Sequence, residues 1–216
     1  MKIKIKELQD EILKEIESLP LDEKVEALNY LRETLHQVSP FKGEPVDFVK
    51  WIKCEQANPN NYNPNKVAKP EMELLYTSIK SYGIGFPIIT GKETDTSEYT
   101  IVDGFHRHLT VSNRQDINQR LFGYLPIAIL DLSEEQLIAA TVAFNKAKGK
   151  NEVELMANLL GLLTSKGLTN LEIATVLGME SEEILRLKQT IGIAQILANK
   201  QYDKAWVLAD KKNSEM

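Results

Sequence analysis

The segment YTIVDGFHRHLTV, residues 99–111, gathers an acid, a glycine, two histidines and an arginine around one phenylalanine. An apolar, strand-like run ends at Asp103, Gly104 makes a tight turn, and a helix is expected to begin at Phe105. The first turn of a helix exposes backbone N–H groups with partial positive charge, which makes it a ready anion site. The sequence therefore predicts an anion-binding turn between a strand and a helix.

Each residue of this turn has a role to offer a nucleotide phosphate. The planar fork of Arg107 can bind two phosphate oxygens, and His106 adds a second donor beside Phe105. Gly104 lets a ligand approach the backbone. Asp103 could hold a ribose hydroxyl, orient His106 or accept a proton. The alternative is an ordinary Asp-Gly turn with solvated arginine and histidine, and the residue types alone leave both interpretations open.

The elements that must position this turn form a predicted α+β core at residues 46–150. Short apolar strands are expected at FVKWIKCEQ, FPIIT, YTIVD and LPIAIL, with a long Asn/Pro-rich polar loop after the first. A helix opens at Pro70 and closes at Gly83, and another runs from Phe105 to about Asn113. Ser133 with Gln136 forms a capping box that opens a helix through about Ala147.

Helical segments are predicted on both sides of the core. Residues 1–38 form a helical hairpin interrupted at Pro20, with apolar stripes that favour packing on the core or, alternatively, a dimer or partner surface. Residues 151–210 form a helical domain in which Gly178 is the turn glycine of a helix-turn-helix. Arg186 and Lys188 are its candidate DNA contacts.

The start of that second helix argues against strong DNA binding. Glu180, Glu182 and Glu183 stand where a recognition helix meets bases and phosphates, and carboxylates repel DNA there. A helical bundle without base recognition is the alternative. We therefore expect DNA contact to be weak.

Composition excludes several other classes of protein. The 216 residues carry a net charge of -5, which argues against a wholly basic nucleic-acid binder. A single cysteine, Cys54, excludes a disulfide framework and a Cys-rich zinc site, and it fits a cytoplasmic protein. Neither a signal peptide nor a membrane-spanning run is visible, so no membrane association is expected. No metal site is predicted.

The order of these motifs resembles the ParB/sulfiredoxin superfamily from about residue 46 to 195. SIKSYG followed by FPIIT is similar to a ParB element, and Gly104–Arg107 lies at the position of the superfamily's G-x-H-R or G-E-R-R box. The resemblance implies a small mixed-sheet core followed by a helix-turn-helix domain, and a bound nucleotide such as CTP, ATP or ADP, with or without Mg²⁺. AFNKAKGK resembles the ParB element that folds over the nucleotide, which implies ligand contacts from Asn145, Lys148 and Lys150.

Within the superfamily, the closest likeness is to the IbrB-like group, described as co-activators of prophage gene expression. NYNPNKVAKPEMELLYTSIK, IVDGFHR, NKAKGK and MANLL carry this likeness. It implies transcription regulation beside a partner protein resembling PAPS reductase, and we also expect a homo-oligomer. Compared with the ParB box, His106 replaces one arginine and the glutamate is lost.

An enzyme is the alternative function. The D-G-x-H-R turn also resembles the free-serine kinases of the superfamily, which implies catalytic roles for Asp103 and His106 with help from Glu71 or Glu73. A ParB-like nuclease is a weaker alternative, because it needs clustered carboxylates to hold metal and only Asp103 is well placed. A sulfiredoxin reaction needs a cysteine where this sequence has Phe105.

Overall fold

The structure is a computed structural model that describes residues 2–60, 69–92, 97–147 and 153–199. Its helices are α1 Lys2–Ser18, α2 Leu21–Gln37, α3 Lys69–Tyr82, α4 Phe105–Asn113, α5 Gln115–Arg120, α6 Glu134–Ala147, α7 Val153–Ser165, α8 Asn170–Leu177 and α9 Ser181–Asn199. Its strands are β1 Val49–Lys53, β2 Ala57–Pro59, β3 Ile88–Lys92, β4 Tyr99–Asp103 and β5 Tyr124–Leu130. The chain divides into two compact units, Met1–Leu155 and Met156–Met216.

The five strands form one mixed sheet in the order β1-β5-β3-β4-β2. Strand β3 is parallel to β5 and β2 is parallel to β4, whereas the other pairs are antiparallel. The two edge strands are joined by a single 3₁₀ turn, Cys54–Gln56. Four gaps of about 4.8 Å would separate them by roughly 19 Å in a flat sheet, but the backbone from Lys53 to Ala57 reaches at most roughly 14 Å. The sheet must therefore curl.

The core of the first unit lies between this curled sheet and its helices. Buried strand residues include Ile52, Ile88, Ile101, Leu125 and Ile127, and Val111 and Ile117 pack against them from α4 and α5. Helix α6 buries Leu137, Ile138 and Val142. Gly91 in β3 permits this packing, because a Cβ at that position would overlap the side chain of Leu137.

Helix α2 is fastened to edge strand β1 by polar side chains. The Asn29 amide donates to the carbonyl oxygen of Trp51 at 2.7 Å and accepts from its backbone N–H at 3.0 Å. Two turns earlier in α2, Asp22 accepts from Lys53 Nζ at 2.8 Å and from the Tyr124 hydroxyl at 2.7 Å. The predicted hairpin is thus confirmed, and α2 is the helix that docks on the sheet.

The second unit contains the predicted helix-turn-helix. Thr169 caps α8 in a capping box with Glu172, and Gly178 ends α8 in the left-handed conformation with φ 61°. Leu159, Leu163, Ile173 and Ile184 are fully buried among α7, α8 and α9. The α+β fold class predicted from the sequence, with its N-terminal hairpin and C-terminal helix-turn-helix, is confirmed.

None of the helices described here has the length and apolarity needed to cross a membrane.

Candidate functional site

The predicted anion-binding turn forms where β4 meets α4. Gly104 takes the left-handed conformation, with φ 95°, and precedes the first residue of α4. The first helical hydrogen bond runs from His108 N–H to the Gly104 carbonyl oxygen at 3.0 Å. The backbone N–H groups of Phe105, His106 and Arg107 precede that bond, so they are the donors that an α-helix leaves without helical partners at its start.

Arg107 lies back over the turn instead of extending into solvent. Its Nη2 donates to Asp103 Oδ2 at 3.1 Å, and the two side chains are only 19% and 17% exposed. A Cβ built on Gly104 would lie 2.6 Å from the same Nη2, so the guanidinium occupies the space that a side chain would fill. Asp103 thereby fixes the arginine at the helix start, one turn of backbone away.

Burial and pairing act in opposite directions on this arginine. Removal from water lowers the pKa of Arg107, while the charge and the hydrogen bond of Asp103 raise it. Because a guanidinium remains protonated in proteins, the result is a fixed positive group at the start of α4. The helix terminus and the guanidinium together present donors to an anion, and Asp103 offsets part of their charge.

The remaining residues of the turn connect it to the core. Phe105 packs against the buried cluster, and its ring centroid is 5.8 Å from that of His106 and 6.4 Å from that of His108. His108 Nε2 lies 3.2 Å from the carbonyl oxygen of Cys54, in the turn that joins the sheet edges. Burial lowers the pKa of His108, which favours the neutral ring as donor. His108 is therefore a structural residue that the sequence did not reveal.

Cys54 lies in the 3₁₀ turn rather than in a strand. The side chain is buried, and this burial raises the pKa of its thiol. A thiol whose pKa is raised carries less of the reactive thiolate at neutral pH.

Glu73 lies away from the turn. Its carboxylate pairs with Arg114, the residue that ends α4, whereas Arg107 lies in the first turn. Seven residues of helix separate the two arginines by about 10 Å. The structure therefore does not bring Glu73 together with Asp103 and His106, and Glu71 lies two residues earlier, in the first turn of α3.

The ligand contacts predicted from the AFNKAKGK segment fall largely outside the described residues. Asn145 lies in α6, but its side chain, together with Lys148 and Lys150, is outside the part of the chain that the structure describes. Their role in ligand binding stays a prediction. Among the described residues, no group of three or more His, Cys, Asp or Glu side chains could hold a metal ion.

The two candidate DNA contacts differ in what they touch. Arg186 is exposed, with Nη2 3.8 Å from Glu182 Oε2 on the same face of α9. Lys188 Nζ instead donates to Asn170 Oδ1 at 2.7 Å, which links α9 to the first residue of α8. Arg186 is thus available to a partner, whereas Lys188 stabilises the helix pair.

A concave region lies away from the turn, between α2, β1 and the ends of β3 and β4. It has a volume of about 630 Å³ and contains none of the residues predicted for the ligand site. Its charged lining is mixed in sign: it contains Lys50, Lys53 and Lys92 as well as Asp22, Glu26 and Glu55. Lys53 and Asp22 already pair with each other. The mixture favours no single class of charged ligand.

Comparison with known proteins is consistent with this architecture. The family model described as "IbrB-like C-terminal HTH domain" matches residues 152–199. A protein of Escherichia coli (strain K12), "Uncharacterized protein YbdM", is 42% identical over 201 residues, which cover 93% of this chain and 96% of that protein. The chain belongs to the same family as YbdM, and the resemblance of its C-terminal part to the IbrB-like group is confirmed.

The similar solved structures include ParB, a free serine kinase and a sulfiredoxin. ParB from Caulobacter crescentus, complexed with CTP-γ-S, is 20% identical with a TM-score of 0.39, over 69% of this chain and 87% of that one. A free serine kinase in complex with AMP is 26% identical with a TM-score of 0.31, over 40% of this chain and 33% of that one. Sulfiredoxin from Arabidopsis thaliana is 17% identical with a TM-score of 0.34, over 43% of this chain and 94% of that one.

Proposed function

We propose that the protein is a DNA-associated regulator that binds a nucleotide, or a related phosphate ligand, at the Asp103–Arg107 turn. The observation that carries the ligand proposal is the guanidinium of Arg107, which Asp103 holds over the N-terminus of α4. A fixed guanidinium and helix-terminal N–H groups together suit phosphate oxygens. The helix-turn-helix domain, assigned by the family model, supports association with DNA.

The turn would recognise the phosphate charge of a nucleotide and would not distinguish its base. CTP, ATP and ADP all carry the phosphates that the turn would bind, and Mg²⁺ would bridge their oxygens. Asn145 in α6, together with Lys148 and Lys150 that follow α6 in sequence, would add further contacts. Asp103 would favour a ligand whose phosphates approach the outer edge of the guanidinium, because a carboxylate repels phosphate directly.

The regulatory role depends on more than DNA affinity. Helix α9 begins with Glu182 and Glu183 in its first turn, so its approach to phosphates is electrostatically unfavourable. We therefore propose a transcriptional co-activator that reaches its promoter together with a partner protein, and a partner resembling PAPS reductase follows from the IbrB-like likeness. Ligand binding in the core would accompany promoter association.

The proposal is tested by calorimetry with CTP, ATP and ADP, each with and without Mg²⁺. Arg107→Ala should weaken binding of the nucleotide that binds wild type by about 1.5–3 kcal/mol, the scale of a hydrogen bond to a charged group. Arg114→Ala is the matched control, because Arg114 lies at the other end of the same helix. Equal affinity in wild type and Arg107→Ala would remove Arg107 from the ligand site.

Turnover would decide between a regulator and a phosphotransferase. Asp103 and His106 share the turn, so acid–base assistance is the chemistry that an enzyme would use there. Phosphate transfer to small acceptors, abolished by Asp103→Asn, would favour the enzyme. Binding without turnover, together with ligand-dependent promoter occupancy in cells, would favour the regulator.

A further inference from the structure

Helix α1 presents an apolar stripe that the described chain leaves exposed. Ile5, Leu8 and Ile12 recur at spacings of three and four residues, which places them on one face, yet they are 51%, 50% and 40% exposed. Hydrogen bonds from Asn29 and Asp22 fasten α2 to β1. Among the described residues, no hydrogen bond joins α1 to the sheet. A row of large aliphatic side chains in water is unfavourable and marks an interaction surface.

The charges of α1 run against its own helix dipole. Lys4 and Lys6 lie near its N-terminus, no acid occupies its first turn, and no basic residue occupies its last turn. Glu15 and Glu17 lie near its C-terminus. Because an isolated helix prefers acids at its start and bases at its end, this arrangement is unfavourable for α1 alone.

A second, antiparallel copy of α1 would compensate for the unfavourable charges at both ends of the helix. Its acidic end would lie beside the lysines of the first copy, and its dipole would oppose that of the first. Lys4, Glu11 and Glu15 are spaced by seven and four residues, so they share one flank of the helix beside the apolar stripe. In a two-fold pair, that flank faces itself in reverse, which brings Lys4 of each copy towards Glu15 of the other.

We propose that α1 is a self-association surface, and that two copies of the chain pair through antiparallel α1 helices. In a register centred near residue 10, Leu8 of each copy packs against Ile12 of the other, and Ile5 packs against Ile16. Apolar packing supplies the attraction, while the Lys4–Glu15 pairs select the antiparallel orientation. The contact is one helix wide, so the dimer dissociates on dilution.

The test is the dependence of mass on concentration, measured by sedimentation equilibrium on the full chain. Wild type should move from monomer to dimer, and Leu8→Glu should remain a monomer over the same range. Tyr30→Glu is the matched control, since Tyr30 is 70% exposed on α2 and lies outside the stripe. A wild type that stays monomeric at its highest soluble concentration, or a dimer that Leu8→Glu leaves intact, would overturn the proposal.

Charge reversal tests the orientation independently of folding. Lys4→Glu and Glu15→Lys should each weaken dimerisation about tenfold, because each replaces two attractive pairs with two repulsive ones. Each change also agrees better with the helix dipole, so loss of the dimer would not reflect loss of helix. An equimolar mixture of the two variants should regain the wild-type affinity, since every pair is then of opposite charge. A mixture that stays as weak as either variant alone would refute antiparallel pairing.

Discussion

Arg107 Nη2 and Asp103 Oδ2 are 3.1 Å apart across one helical turn, and both side chains are largely buried. The pair spans Gly104, so it ties the end of β4 to the start of α4. A buried ion pair costs desolvation, but removing one partner leaves the other charge uncompensated. The arrangement therefore combines a structural role with the placement of a cation at the proposed ligand site.

Asp103→Ala should lower the free energy of unfolding by about 1–3 kcal/mol, because it leaves the Arg107 guanidinium without its carboxylate. Asp103→Asn should cost less, since its amide oxygen can still accept from Arg107. Urea denaturation measures both. Glu182→Ala is the control, because Glu182 also pairs with an arginine four residues on but is 82% exposed, and it should change stability by less than about 0.5 kcal/mol. Equal losses for Asp103→Ala and Glu182→Ala would contradict a structural role for the pair.

Gly104→Ala should destabilise the protein by about 1–2 kcal/mol, because φ 95° is unfavourable for a residue with a side chain. The new Cβ would also displace the guanidinium of Arg107, so nucleotide binding should fall in the same variant. Gly43→Ala is the matched control in the same unit: nothing lies within 4 Å of its Cβ position and its φ is not positive. Wild-type ligand affinity in Gly104→Ala would show that the position of Arg107 is unimportant.

His108 makes stability depend on pH in a defined direction. Burial lowers the folded-state pKa of His108 below its ordinary value of 6.5, so the unfolded chain binds the proton more readily. The contribution of the neutral His108 ring to the free energy of unfolding is therefore complete above pH 6.5. It is lost as pH falls through the lower folded-state pKa. Unfolding free energies should decrease less between neutral and mildly acid pH in His108→Gln, which keeps a donor for the Cys54 carbonyl. Parallel pH profiles for the two proteins would exclude this role.

Alanine substitutions of Arg186 and Lys188 should affect DNA binding in different ways. Arg186→Ala should weaken binding to duplex DNA and reduce the slope of log affinity against log salt by about 1, as for one lost phosphate contact. Lys188→Ala should mainly destabilise the helix-turn-helix, because Lys188 bonds Asn170. Fluorescence anisotropy across a salt series, together with melting curves, distinguishes the two effects. Glu183→Gln should strengthen DNA binding; a decrease would mean that α9 does not face DNA.

Local sequence signals determine most of the helices around the site. The Asp-Gly turn predicted α4 with the bounds that the structure shows, and Ser133 with Gln136 predicted the start of α6. The Asp103–Arg107 contact follows from a spacing of four residues at a helix start, and that spacing could have revealed it. These features depend on neighbours in the chain, which a sequence displays directly.

Features that depend on residues distant in sequence could not be predicted from local patterns. Strand β2 was predicted as part of a polar loop, because Ala57–Pro59 gains its strand character only by pairing with β4. The six-residue helix α5 is too short for apolar periodicity to mark. The structural role of His108 has no local signal, because its partner is a backbone carbonyl 54 positions away in sequence. Such pairings arise from tertiary contact, so no local pattern encodes them.

The short connection between the two edge strands also has a consequence for assembly. An open sheet exposes two rows of unpaired peptide groups, which can recruit strands from other chains. Here Cys54–Gln56 draws those two edges together, and the Asn29 side chain takes both peptide groups of Trp51 on β1. The curl and this side-chain pairing therefore make the described sheet less open to strand addition by another chain.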